Sequence, residues 1–307
     1  MKGLEWKITF LGTSAALPNA NRGLSGQLLE THGGSILIDC GEGTQLQLFK
    51  IGAKVNRIDF ILISHLHGDH FYGIPGLLSS FHLLGRVKPL TIIGPEGIKS
   101  ILDFLIKLSH EKLSYELHVL ELKHEDKKVI FSNNELEIES FPLLHSIPTY
   151  GYQVKSVKTE LNLDKGKIMA LNIGIDWYKK LKAGADYVDE HGLIVKNEML
   201  TLPPIQGNSY AYCSDTKYFL KLSDYVKGVS MLYHESTFTD EHEMEAQNRS
   251  HSTASQAAKI AHNAKAKQLV LGHFSSRYKD LSVFKTEAQR YFREVILAED
   301  LMEIKFH

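Results

Sequence analysis

The sequence predicts an α/β protein, a layered sandwich with sheets inside and helices outside. Short apolar β-type runs recur from the N-terminal end and alternate with amphipathic helical patterns. This mixed series occurs twice, on either side of a stretch, 153–204, where the pattern breaks down. The bulk numbers agree: 307 residues, 43% hydrophobic and 23% charged, are ordinary for one large globular domain spanning 1–307.

In order, the first series holds β-type runs at Ile8–Leu11, Ser35–Asp39 and Phe60–Ser64, the last feeding His65–His70. Leu90–Ile93 follows, then Gly-Pro and an amphipathic helix over Glu96–Leu108. Tyr115–Leu122, Lys128–Phe131 and Leu136–Phe141 complete it, with Asn133-Asn134 as a turn. The second series runs through strands at Ser209–Cys213 and Ser230–His234, a helix at Thr253–Ala264, and a strand at Gln268–Leu271. A helix at Val283–Phe292 and a last strand near Val295–Lys305 end it. A hydroxyl in His251-Ser252-Thr253 is placed to cap the alanine-rich helix. The interval 153–204 reads either as a plain surface insertion or as a functional arm.

Several function classes recede on composition. No run approaches the roughly 18 apolar residues of a membrane helix, and the N-terminal segment reads as a first strand rather than a signal peptide. Cys40 and Cys213 sit in apolar strand contexts, as expected of a reduced, cytoplasmic protein. A net charge of −1 means that any polyanion must be met by a local patch.

Chemistry concentrates in His65-Leu66-His67-Gly68-Asp69-His70, directly after the apolar run Phe60–Ile63. Residues two apart on an extended backbone point the same way, so His65 and His67 can share a cation. A turn at Gly68 lets Asp69 and His70 swing toward a second position. Crowding so many polar groups at the mouth of a buried strand is costly without a ligand. His145, Asp215 and His273 each follow a β-type run too. Each is weak alone, but strand ends on one edge of a sandwich converge in space.

These motifs resemble the metallo-β-lactamase superfamily and, within it, ribonuclease Z, also called tRNase Z. The resemblance spans nearly the whole chain. It includes Asp39-Cys40-Gly41-Glu42-Gly43-Thr44-Gln45, His65–His70 and Pro142–His145. Ser214-Asp215-Thr216, His234-Glu235-Ser236-Thr237, His251-Ser252-Thr253 and His273-Phe274-Ser275-Ser276-Arg277-Tyr278 complete it. It implies a four-layer αββα sandwich holding two zinc ions, manganese being a plausible substitute. One ion would be held by His65, His67 and His145, the other by Asp69, His70 and His273, with Asp215 bridging. Asp69 would steer the proton of the attacking water, and His251 with Glu235 would protonate the leaving oxygen. Asp39 would support the site, and His234 would pack.

The implied activity is cleavage of the 3′ trailer from precursor tRNA, leaving a 3′-hydroxyl, by a homodimer whose arm in one subunit holds the tRNA cut by the other. The 153–204 interval falls where that arm belongs. From Gln153 to Lys182 there are seven lysines, Lys179, Lys180 and Lys182 among them, against three acids. Such lysines neutralise phosphates by counterion release. Leu181-Lys182-Ala183-Gly184 keeps the family's Leu-Lys-x-Gly, but its Gly-Pro is absent. Pro18-Asn19-Ala20-Asn21-Arg22-Gly23 keeps a proline and Arg22, a potential bidentate phosphate ligand, but lacks the family's lysine and asparagine. Two rival readings remain: a hydrolase of small phosphodiesters or arylsulfates on the same fold, and a metal-loaded RNA-binding protein without turnover.

Overall fold

Residues 5–157, 161–202 and 207–306 are described in a computed structural model. The apolar runs assemble into two seven-stranded mixed sheets. In the first sheet are β1 (Trp6–Gly12), β2 (Gly26–Thr31), β3 (Gly34–Cys40), β4 (Ile58–Leu62), β5 (Leu90–Pro95) and β6 (Leu117–Leu122). The second holds β7 (Lys128–Ser132), β8 (Leu136–Leu143), β9 (Thr149–Ser156), β10 (Ser209–Cys213), β11 (Met231–Glu235), β12 (Leu269–Gly272) and β13 (Val295–Leu297). The chain ends by returning β14 (Glu303–Phe306) to the first sheet beside β1. The orders are β14-β1-β2-β3-β4-β5-β6 and β13-β12-β11-β10-β9-β8-β7.

Strand sequences that are apolar at every position are buried on both faces. Ile36 and Ile38 of β3 enter the core between the sheets, while Leu37 enters the core under the outer helices. Tyr210 and Tyr212 of β10 likewise face the first sheet, and Ala211 and Cys213 face helices. The Ala254–Ala264 helix packs its alanines on the second sheet. The helices Ile74–Leu83 and Ile98–Leu108 cover the first sheet. The result is the expected four-layer αββα order. Thr253 caps its helix in a capping box with Gln256.

Three features were not in the local pattern. β2, the Thr44–Lys50 helix, the Ile74–Leu83 helix and β9 are additional elements. The two series do not map one to each sheet, because β7, β8 and β9 join the second sheet beside β10. The single last strand expected over Val295–Lys305 is two strands in different sheets. The turn between them holds Leu301 at φ 63° and places Asp300 to accept from Thr13 Oγ1 at 2.8 Å and Gly23 N at 2.6 Å.

Within the interval between β9 and β10, residues 161–202 carry a small core of their own: Ile168, Ile173, Leu181 and Leu200, flanked by Trp177 and Tyr187. Two short antiparallel pairs, Asn162–Leu163 with Thr201–Leu202 and Tyr187–Val188 with Ile194–Val195, frame three short helices. Lys155 is still part of β9 and pairs with Glu139 at 2.6 Å. Lys158 and Glu160 lie outside the described residues, as do residues 203–206 with Pro204. Lys179, Lys180 and Lys182 end the Ile175–Lys182 helix, with the Lys180 ammonium 4.3 Å from the Trp177 ring centre.

Candidate metal centre and cleft

Strand direction explains why distant residues meet. β10, β11 and β12 are parallel, and β8 runs with β10 because two antiparallel pairings separate them. The ends of β8, β10 and β12 therefore deliver His145, Asp215 and His273 to one edge. β4 delivers His65, His67, Asp69 and His70 from the facing sheet. The chain must turn sharply there. Asp39 and His273 adopt left-handed conformations at φ 55° and 58°, an uncommon backbone for residues other than glycine. Gly41 has no room for a side chain, since a Cβ would lie 2.3 Å from the Asp69 carbonyl oxygen.

Two donor sets that share no residue result, beside a third group, Asp215, His251 and His273, that overlaps both. His65, His67, His145 and Asp215 form one group that could hold a metal ion, and Asp69, His70 and His273 form another. His65 Nε2 lies 3.1 Å from His67 Nδ1, which lies 3.3 Å from His145 Nε2. His70 Nε2 lies 3.3 Å from His273 Nε2, and Asp69 Oδ2 is 3.5 and 3.6 Å from the two. Asp215 turns Oδ2 to His65 at 3.6 Å and His145 at 3.8 Å. Its Oδ1 faces His273 at 3.3 Å and His70 at 3.6 Å. Donors bound tetrahedrally at about 2.0–2.1 Å sit roughly 3.3 Å apart, so the spacing fits an ion at the centre of each set. Asp215 Oδ1 is also buried without a hydrogen-bond partner.

Hydrogen bonds behind the donors aim them, as is usual around metal-binding histidines. Nδ1–H of His70 donates to Asp39 Oδ2 at 2.7 Å, and that of His145 to the Ser250 carbonyl at 2.9 Å. His65 Nδ1 is 2.9 Å from Ser64 Oγ, which donates to Asp39. Tyr212, buried between the sheets, donates to the same Asp39 oxygen at 2.6 Å. His273 Nδ1 is 2.9 Å from Thr237 Oγ1, which donates to Glu235. Burial, assisted by a charged His70, holds His65 neutral, and burial lowers His145. Burial would raise the Asp69 and Asp215 carboxyls, but His70 and His273 outweigh it and hold both well below the usual range. Against its own burial, His70 is pushed up by Asp215, Asp69 and Asp39. Its proton stands where these carboxylates demand a cation.

Beside the donors, Glu235 is fully buried and accepts from His251 Nδ1 at 2.9 Å. That fixes the imidazole with Nε2 turned away from the carboxylate. Burial lowers His251, yet Glu235 and Asp215 prevail and push it up to about 9. His251, His67, Asp69, His145, Asp215 and His273 line a cleft of about 870 Å³. His234 is buried with Nδ1 on the Glu235 carbonyl at 2.7 Å and points to no donor set. Arg22 spends Nη2 on the Tyr278 carbonyl at 3.0 Å and the Ser275 carbonyl at 3.4 Å. Arg249 and Arg277 are the arginines lining the cleft, sharing Glu245. Sequence reasoning missed them, as it missed the part played by Thr237, although both Arg277 and Thr237 stand in quoted motifs. The Ser250 carbonyl had no signal, because any residue supplies one.

The profile of a family described as Anti-Pycsar protein Apyc1 matches residues 6–163, which include the His65–His70 segment and His145 but end before Asp215, Glu235, His251 and His273. Ribonuclease Z of Bacteroides thetaiotaomicron is 35% identical over 97% of this chain and 94% of that protein. Ribonuclease Z of Porphyromonas gingivalis is 38% identical over 97% and 98%. Among solved structures, human tRNase Z, short form, superposes with a TM-score of 0.72 at 30% identity, covering 97% of this chain and 98% of that one. The metallo-β-lactamase fold protein YhfI of Bacillus subtilis gives 0.70 at 17% identity, a likeness of fold.

Proposed function

The chain belongs to the ribonuclease Z family, with the metallo-β-lactamase fold, and is a metal-dependent endoribonuclease of tRNA 3′ processing; from that premise we propose how its residues divide the work. The carrying observation is Asp215, a buried carboxylate that offers one oxygen to each of two donor sets. His65, His67 and His145 would hold one ion and Asp69, His70 and His273 the other, with Asp215 offering one oxygen to each set. Nitrogen and oxygen donors without a thiolate suit zinc, with manganese as a substitute. Cys40 and Cys213 are buried and stand in neither set. When bound, two such ions polarise a phosphodiester and activate water.

The side chains do the rest. Asp69, at the cleft and with Oδ2 steadied by Ala16 N at 2.9 Å, steers the proton of the attacking water. His251, kept charged by Glu235, turns Nε2 to the cleft and protonates the departing 3′ oxygen, a poor leaving group otherwise. The product is a tRNA with a 3′-hydroxyl and a released trailer. Arg22 holds the Ser275–Tyr278 turn at the cleft edge, and contact with a phosphate would exchange those hydrogen bonds.

The 153–204 interval serves as the tRNA-binding arm. Lys179, Lys180 and Lys182 crowd one helix end there, free of acidic partners among the described residues. The protein works in the cytoplasm as a homodimer. The helices over the first sheet and the cap that follows one of them leave Leu46, Phe49, Leu83, Leu84, Phe104 and Leu108 exposed, surface that a second copy would cover.

The test is to incubate zinc-replete protein with a 3′-extended precursor tRNA and map the product ends, beside Asp69→Ala. A discrete cut near the last base before the trailer, abolished in the variant, is expected. Intact precursor alongside hydrolysis of small diesters would move the chain to small substrates. Processing unchanged by Asp69→Ala would remove Asp69 from the chemistry.

A further inference from the structure

One turn joins the two sheets at the edge where the donors stand. It runs from Ala298 to Met302, between β13 and β14, and is fixed at both ends. Ala298 N donates to the Leu271 carbonyl of β12 at 2.8 Å, two residues before His273. Leu301 N donates to the Phe10 carbonyl of β1 at 2.6 Å, and Phe10 N to the Met302 carbonyl at 3.1 Å. Asp300 is therefore presented from a frame that neither sheet can shift alone.

Its carboxylate closes a loop. Oδ1 accepts from Thr13 Oγ1 at 2.8 Å and Oδ2 from Gly23 N at 2.6 Å, with Gln47 Nε2 a further donor to Oδ2 at 3.4 Å. Thr13 and Gly23 stand on the two stems of the loop between β1 and β2, which Ser14 N also joins by donating to the Gly23 carbonyl at 2.9 Å. The stems press together, since a Cβ on Gly12 would lie 1.8 Å from the Leu24 carbonyl oxygen. From this base the loop reaches the metal centre twice. Phe274 N donates to the Thr13 carbonyl at 2.9 Å, beside His273. Ala16 N donates to Asp69 Oδ2 at 2.9 Å, and Ala16 holds φ at 59° to do so. That left-handed backbone is uncommon for alanine and persists only where its surroundings fix it. Ala16, Leu17 and Pro18 then line the cleft.

We propose that Asp300, which does not itself line the cleft, is a positioning residue for the reaction: by clamping Thr13 and Gly23 it keeps Ala16 in its left-handed conformation and so aims the Asp69 carboxylate. With the Asp300 carboxylate gone, a hydroxyl and an amide of the stems lose their acceptor. Ala16 then relaxes toward an ordinary backbone and its N–H swings off Oδ2. Asp69 keeps its place in the donor set but loses the hydrogen bond that selects its orientation. The proposal rests on the role given to Asp69 above, and it holds for any phosphodiester cut in this cleft.

Three variants of the full-length, metal-replete protein test it: Asp300→Ala, Asp300→Asn and Thr13→Val. In Asp300→Ala, kcat on a 3′-extended precursor and on a small chromogenic diester is expected to fall about 10–100-fold, the loss that a small misplacement of reacting groups produces. KM should stay within about twofold of wild type. Asp300→Asn keeps an acceptor for Gly23 N and should recover most of the loss. Thr13→Val removes one donor to the carboxylate and is expected to cost about fivefold in kcat, yet to add almost nothing in the Asp300→Ala background. Hydrogen exchange read by mass spectrometry gives a measure independent of turnover. Peptides covering residues 14–23 should exchange about tenfold faster in Asp300→Ala, with the protection of the strands and the metal content unchanged. Thermal melting shows whether Asp300→Ala is folded, and if it is not, Asp300→Asn and Thr13→Val carry the test. Wild-type kcat in Asp300→Ala, a loss confined to KM, or unchanged exchange over the loop would overturn the proposal. Wild type that cuts no precursor, while Asp300→Ala still loses diester turnover, would keep the role of Asp300 and sink the tRNA reading.

Discussion

Glu235 is buried to 0% exposure, and both of its oxygens are spent. Oε1 accepts from His251 Nδ1, Ser252 N and Thr216 N, and Oε2 from Thr237 N and Oγ1. Burial raises a carboxyl, but the charge and hydrogen bond of His251 prevail and hold Glu235 down. The same pairing carries His251 up to about 9 from an ordinary 6.5. The sign of the linkage follows. His251's contribution to stability is complete below about 6.5 and is lost as pH rises through about 9. Glu235→Gln keeps an acceptor but removes the charge, so burial regains control. In the metal-free protein, NMR titration of the His251 ring should give a midpoint near 9 in wild type and one shifted well down in Glu235→Gln. Equal midpoints would mean that Glu235 does not set this proton. Precursor cleavage by the holoenzyme should fall about 10²–10⁴-fold in Glu235→Gln or His251→Ala, the range general acid catalysis supplies, with metal content unchanged because neither is a proposed ligand.

Among the elements, the strands deliver donors and the inserted helices present charge. β4, β8, β10 and β12 end at one edge, and a residue placed just past such an end is carried to the site by hydrogen bonds that also build the core. The Ile175–Lys182 helix works differently. It is anchored by Leu181 and Trp177 on its own small core and ends in three lysines. Replacing Lys179, Lys180 and Lys182 by glutamine should weaken precursor binding about uniformly across tRNA sequences. The plot of log affinity against log salt should become shallower by about one for each lysine that met a phosphate. A slope identical to wild type would place the tRNA elsewhere.

For the molecule as a whole, the four layers close around two sheets whose inner faces are filled by aromatic residues. Tyr212 and Tyr233 stack at 5.1 Å, and Phe10 and Tyr233 at 5.9 Å. Within this frame the outer helices keep exposed leucines and phenylalanines, while the homodimer reading itself rests on the family resemblance. Light scattering should return twice the chain mass of 34.6 kDa, and Leu83→Glu with Phe104→Glu should shift it toward one chain. A wild-type mass of one chain at micromolar concentration would end the dimer reading, and with it the division of arm and active site between subunits.

Much of the site was legible in the sequence, and for a physical reason. His65–His70, His145, Asp215 and His273 each stand directly after an apolar run, and runs apolar at every position announce strands buried on both faces. Local pattern therefore determined a layered sandwich with helices outside, the donor types and their place at strand ends, while the four-layer order came from the family resemblance. It did not determine which sheet β7 to β9 would join, nor that the stretch after Val295 would divide and bring Asp300 to Thr13. Neither did it reveal that Lys155 pairs with Glu139, that Arg22 clasps the Ser275–Tyr278 turn, or that Thr237 and the Ser250 carbonyl aim the histidines. Those were decided by the tertiary structure alone, because contacts between backbone carbonyls, loops and side chains far apart along the chain leave no periodicity behind them.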